Sequence, residues 1–300
     1  MKKNPFSFYD FLGYVFPGGF VLFLFYFFHK CDELKGIFTI VDTIKTIDVP
    51  FSWENTILLT LLSYVIGHLV AYLSSLTIEQ YAIWLYGYPS DFLLKDIEIL
   101  HYWKFQVSDS ELNSGNNCFC FLWNIIKIYF WRVVLGFFVL PLTICSVIFA
   151  KIFGLKRFFI KQLDKCLVKT IQSRCVDLAD YLGFDHKYGE TDFHRVIYHY
   201  EYELQKAHSV KMDNYVAIYG FLRAVTFIFN CLFLYLIIEV SPNFDFSSRI
   251  DWNLVTLISC AGILTYLFFM GYMKFNRRFT LESFMCLIID TSYQSHERSE

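Results

Sequence analysis

The chain alternates between long apolar runs and charged stretches, not between single apolar and polar positions. Runs at 11–28, 56–78, 133–150, 217–238 and 254–273 contain no Lys, Arg, Asp, Glu or His apart from His68 and Arg223. Each is 18 to 23 residues long, and a helix of about 20 residues crosses roughly 30 Å of hydrocarbon. Barrel strands would alternate every second residue, and these runs do not. The predicted class is all-α, a polytopic helical membrane protein with a cytoplasmic helical domain. The first run ends at Phe28-His29-Lys30 without a small-residue cleavage site, so it reads as an uncleaved span.

Composition agrees with the pattern. Hydrophobic residues make up 56% of the 300 and charged residues 18%, against about 45–50% and 25% in soluble domains. A net charge of −2 leaves no basic footprint for nucleic acid. The nine cysteines form no paired framework and fit a reducing compartment. Cys118-Phe119-Cys120, the one close pair, lacks a second pair at zinc-finger spacing.

Lys and Arg decide orientation. With five spans and the N-terminus outside, 18 of them face the cytoplasm and 7 face outward. If 119–150 dips in and returns, the counts become 21 and 4, the better balance. The chain therefore divides into spans and external loop 29–55 within 1–78, a cytoplasmic helical segment 79–118, and a third apolar segment 119–150. That third segment is either re-entrant or spanning. A cytoplasmic helical segment 151–216, two spans within 217–273 and a cytoplasmic tail 274–300 follow.

Pro17 lacks the N–H that would bond the Gly13 carbonyl, and Gly18-Gly19 follow it. Gly13, Pro17, Gly18 and Gly19 form a candidate hinge, with close helix packing through small residues as the plainer alternative. His68 and Arg223 are the ionisable groups inside spans and so candidates for function. The plainer expectations are an interhelical hydrogen bond for His68 and snorkelling to the cytoplasmic face for Arg223.

Outside the spans, the second helix continues through Trp84 until Gly87-Tyr88-Pro89-Ser90 stops it. The spacing over Phe158–Leu182 predicts an amphipathic helix, with Lys161, Lys165 and Lys169 on a second face suited to anionic lipid or an anionic ligand. The stretch from about Asp192 to Ile238, free of proline, reads as one long helix entering the membrane. His194 and His199 on it are five apart, not the four of a helical zinc couple, so no metal site is expected. No phosphate-binding, dinucleotide, nucleophile-elbow or zinc-protease motif occurs, and no cofactor is expected.

The leading expectation is a non-enzymatic, oligomeric bacterial inner-membrane protein. Its spans would form a pore or membrane-perturbing assembly, governed by the cytoplasmic helices through a protein or small-ligand partner, as in a defence or stress effector. Contacts between copies would use Ser63, Gly67, Ser74 and Gly262. The alternatives are a membrane-embedded enzyme or lipid-handling protein, built on His68, Glu79 and the histidine-rich helix, and a passive scaffold subunit.

Overall fold

The computed structural model of the protein describes residues 10–30, 52–94, 118–155, 160–183, 193–204, 206–240 and 252–290. The 29–55 and 239–253 loops, the 108–117 loop and the end of the tail lie largely or wholly outside these residues, as do His186, Glu190 and the Cys118 and Cys120 side chains. Among the described residues there are helices and no strands. Four helices are long and apolar enough to cross a membrane, and a sharply bent pair makes up to five.

A π-helical turn, Phe11–Val15, opens the first span and runs into α1, Phe16–Lys30. The Phe16 N–H donates to the Phe11 carbonyl, so the wider turn lies immediately before Pro17. Helix α2, Trp53–Ser74, starts where the Ser52 hydroxyl accepts from the Asn55 N–H at 3.2 Å, a side-chain N-cap. The two helices meet backbone to backbone. A methyl added to Gly18 would fall within 3.0 Å of the Ser63 carbonyl, and one on Gly67 within 3.0 Å of the Tyr14 carbonyl. Only hydrogen fits at either position.

Helix α2 passes into a π-helical segment, Ser75–Glu79, and then α3, Gln80–Tyr86. Gly87 ends it with φ 76, a left-handed conformation that a side chain would strain, and Pro89 opens α4, Pro89–Leu94. The stop falls where the sequence places it.

Two long helices form the other half of the bundle: α9, Lys206–Val240, and α10, Trp252–Ile289. They run antiparallel, with Tyr215 against Phe275, Tyr219 against Tyr272 and Phe229 stacked on Phe268 at 5.4 Å. Helix α1 lies parallel to α9, with Phe16 on Phe221, Phe20 on Phe229 and Phe28 on Tyr235. The starts of α1 and α9 therefore share one end of the bundle. Glu79 reaches Arg223 there, so the chain leaves this end after α2 and re-enters the bundle from it at α9.

Between these points lie α5, Cys118–Phe138, and α6, Leu140–Cys145, followed by a π-helical segment, Ser146–Ile152. The halves Tyr129–Phe138 and Leu140–Phe149 are bent by 85°. Pro141 has no N–H for the Phe137 carbonyl, and Val139 leaves helical geometry at φ −95, ψ 30, which breaks the helix. The Asn230 Nδ2 donates to the Phe138 carbonyl at 2.8 Å. Cys145 Sγ reaches the Gly262 carbonyl at 3.8 Å. Asn230 is seven residues beyond Arg223, about 10 Å deeper along α9. The descending limb places Arg132 over Trp84, and the returning limb stacks Phe149 on Tyr266. Its apex thus sits deep between α9 and α10.

The second half of α10 continues beyond the apolar run and is wrapped by α3, α4, α7 (Lys165–Tyr181) and α8 (Phe193–Leu204). Phe92, Leu93, Ile171, Leu178, Ile197, Phe269, Phe284 and Leu287 form one buried cluster there. Two expectations are corrected in this region. Helix α7 starts at Lys165, not near Phe158, because residues 160–164 spend backbone groups elsewhere. The Leu163 N–H donates to the Leu93 carbonyl, and the Lys161 carbonyl accepts from Arg277. Residues 192–238 are also two helices. Tyr198 and Tyr219 both pack on Phe279, at 5.1 and 5.9 Å. One continuous helix would hold them about 31 Å apart, so α8 folds back along α10.

Candidate functional site

The most concentrated polar contact among the candidate spans lies at the shared end of the bundle. Glu79 closes the π-helical segment after α2, and its Oε2 accepts from Arg223 Nη1 and from the Ser75 hydroxyl, the latter at 3.1 Å. The Arg223 side chain is 16% exposed and that of Glu79 35%. Tyr272, buried on α10, lies within electrostatic reach of both, and its hydroxyl oxygen accepts from Asn276 Nδ2 at 3.4 Å. Three helices thus contribute to one half-buried cluster. A π-helical turn carries one residue more than an α turn and is common at functional positions; here it precedes the acid of the pair.

Arg223 is therefore not simply a snorkelling cation, because it has a carboxylate partner 144 residues away. The signal for that partner was in the sequence. If 119–150 dips in and returns, residues 79 and 217 lie at the same end, so an acid at 79 and a base at 223 are placed to meet. Arg223 and His68 do not come together. The His68 ring stacks on Tyr14 at 3.8 Å and meets Tyr64 edge-on at 4.5 Å, so its interhelical partner is a ring. Of the candidate hinge residues, Gly18 seats α1 on α2, and Gly19 faces the Ser63 hydroxyl across 3.5 Å from where its Cβ would be. A Cβ on Gly13 would meet nothing.

The small residues assigned to contacts between copies are used within one chain. Ser63, Ser74 and Gly67 are buried, and Gly262 lies against Phe233 and Pro141. The three lysines do not share a helix face. Lys165 and Lys169 project from α7, Lys161 sits in the extended segment before it, and all three are exposed.

Three buried polar groups carried no sequence signal. Asn230 caps the broken helix. Arg132 is 7% exposed on the descending limb. Glu201, on α8, is 1% exposed, and among the described residues neither carboxylate oxygen has a hydrogen-bond partner. Burial, with the Asp290 charge adding to it, pushes the Glu201 carboxyl up to about 7. His194 packs between Phe279 and Phe284, and His199 lies exposed beside Tyr198. Among the described residues no three His, Cys, Asp or Glu side chains are grouped as metal ligands would be.

Comparison with known protein families, curated proteins and solved structures finds no match.

Proposed function

We propose that this chain is a multi-pass protein of the bacterial inner membrane that acts as a homo-oligomer. Its spans form a pore or membrane-perturbing assembly, controlled by the helical domain at the cytoplasmic end, in the setting of a defence or stress effector. The observation that carries this reading is the continuity of α9 and α10. Each is an apolar span over one part of its length and a wall of the end domain over another, so a displacement of that domain passes along rigid helices into the bilayer. The Glu79–Arg223 pair ties α2 to α9 at the level where the two parts meet.

Four crossings are the better account. The starts of α1 and α9 and the end of α2 share one end of the bundle, which requires an even number of crossings between 79 and 217. A hairpin that enters to Asn230 and Gly262 and returns satisfies that requirement, and backbone broken at membrane depth is tolerated where protein buries it. With this topology both termini are cytoplasmic. The test is reconstitution. Purified protein in lipid vesicles should release a trapped dye when the trigger is supplied or the end domain is altered, and crosslinking should give discrete oligomers. Vesicles that stay tight, with strictly monomeric protein, would remove this reading.

A second reading, a membrane-embedded enzyme or lipid-handling protein, is favoured by the gathering of Ser75, Glu79, Arg223 and Tyr272 from three helices. Under it, Glu79→Gln would abolish turnover or transfer of a lipid while leaving the fold intact.

A further inference from the structure

The cations of this protein divide into two groups. Arg132, Arg174, Arg195, Lys211 and Arg223 are engaged within the chain. Lys127, Lys161, Lys165, Lys169, Lys274, Arg277 and Arg278 have no acidic partner among the described residues, and all but Lys127 on α5 lie at the end domain. Four of these six lie on two segments that meet. Lys274, Arg277 and Arg278 are spaced i, i+3, i+4 and so share one face of α10, in the first turns beyond the apolar run. Arg277 donates through Nε and Nη2 to the Lys161 carbonyl, at 3.1 and 2.7 Å. That double contact clamps the 160–164 segment against the face, while the Leu163 N–H holds the same segment to α4. Arg278 lies over the Phe275 ring at 5.3 Å, and Lys161, Lys274 and Arg278 remain exposed.

Cations brought together cost free energy, and here two segments distant in sequence are pinned together with none of the four in an ion pair among the described residues, although Asp164 lies exposed in the clamped segment. Positive-inside bias alone requires cations near this face but not a backbone clamp that joins their two segments. We propose that Lys161, Lys274, Arg277 and Arg278 form a binding site for a phosphate-bearing anion at the cytoplasmic membrane surface, supplied by the headgroup of an anionic lipid. Arg277 positions the segment, and the other three supply charge to the phosphate. The site rests on the membrane reading above and relocates the anion contact from the α7 lysine row to the end of the last span. A lipid held there would touch α10 where it passes from the bilayer into the end domain.

The test uses the full chain in phosphatidylcholine vesicles, with and without spin-labelled phosphatidylglycerol, and a Lys161→Gln/Lys274→Gln/Arg278→Gln variant that keeps Arg277. Wild type should immobilise phosphatidylglycerol in preference to phosphatidylcholine. Each lost cation should weaken that preference about fivefold, and the three together about a hundredfold. Unchanged melting of the variant in phosphatidylcholine shows that the fold has survived. Inorganic pyrophosphate that displaces the labelled lipid from wild type but not from the variant would assign the site to soluble phosphates as well. Equal retention of phosphatidylglycerol by variant and wild type overturns the site. If the protein instead purifies without detergent and does not enter vesicles, the membrane reading has failed. Pyrophosphate binding, measured by calorimetry on both proteins, then decides the cation site separately.

Discussion

The side-chain amide of Asn230, inside α9, donates to the backbone carbonyl of Phe138 at 2.8 Å, where the bent segment turns. Asn230 is fully buried, and its partner is a carbonyl at the break in the helix. A polar side chain in the middle of an apolar helix is costly unless it has such a partner, and a broken helix at membrane depth is costly unless something caps it. The Asn230 Nδ2 and the Phe138 carbonyl satisfy each other, while the Asn230 Oδ1 is buried with no partner among the described residues.

Asn230→Leu removes the donor and leaves the carbonyl uncapped. It should lower stability by about 1–2 kcal/mol, the range for a lost hydrogen bond in a buried or bilayer setting. A cysteine at Val139, fully buried in the native fold, should react faster with a small maleimide in that background. Unchanged melting and unchanged reactivity would mean that Asn230 does not hold the apex.

The topology predicts labelling. A single cysteine at Ser114, with native cysteines removed, should resist a membrane-impermeant maleimide in intact cells, whereas one at Ser247 should react. Efficient labelling at 114 in a functional protein would require a single crossing by 119–150. The shared end of α1, α2 and α9 would then be unexplained.

Breaking the Glu79–Arg223 pair from one side leaves a half-buried charge without its partner. Arg223→Gln or Glu79→Gln alone should cost about 1–3 kcal/mol, below the cost at a fully buried pair because water reaches Glu79. The double variant should cost less than the sum of the two. A coupling free energy near zero in the double-mutant cycle would show that the pair contributes nothing measurable.

Much of the fold was legible because long apolar runs are unambiguous and the glycine–proline punctuation at 87–89 is local. What was not legible depended on distant partners. Nothing in residues 192–238 marks a reversal: there is no Pro and the one Gly is Gly220, and the separation of α8 from α9 follows from Tyr198 and Tyr219 sharing Phe279. The amphipathic period before Lys165 looked helical, but the Lys161 and Leu163 backbone groups bond to Arg277 and Leu93 instead. Small residues in apolar runs signal close packing without saying with what; Gly67 and Gly262 turned out to serve their own chain. Glu201 reads as an ordinary surface acid until α8 is folded onto α10.

Glu201 gives the end domain a pH dependence. Its carboxyl is raised from 4.5 to about 7, first by burial and then by Asp290. The folded protein therefore holds the proton more tightly than the unfolded chain. The stabilisation is fully present below about 4.5, and it is lost as pH rises through about 7. Glu282 and Cys286 of α10, Asp290 just after its end, and Lys211 of α9, which is paired with Glu282, surround this junction. Melting should be higher at pH 5.5 than at pH 8, and Glu201→Gln should flatten that difference by holding the neutral form at every pH. An equally steep profile in the variant would assign the dependence to another group.

The last prediction concerns how copies meet. With Ser63, Gly67, Ser74 and Gly262 consumed inside the chain, any assembly must use outward faces. Helix α2 and the π-helical segment after it present one: Leu58, Leu61, Val65, Leu69, Tyr72 and Leu76 are all more than half exposed and recur every three or four residues, an unbroken apolar stripe. In a bilayer, lipid covers such a stripe in a monomer and a second copy covers it in an oligomer. With the native cysteines removed, a cysteine placed singly at Val65 or at Leu69 should therefore crosslink copies in native membranes into a covalent dimer. The mass of the assembly in lipid would give the subunit count of a closed ring. A cysteine at Gly67 should give no such product and should loosen α1 from α2, since even its Cβ has no room against Tyr14. Failure of every position on the α2 stripe to crosslink would move the contact to another face. If the protein is also monomeric by mass in lipid, conduction through an assembly is excluded.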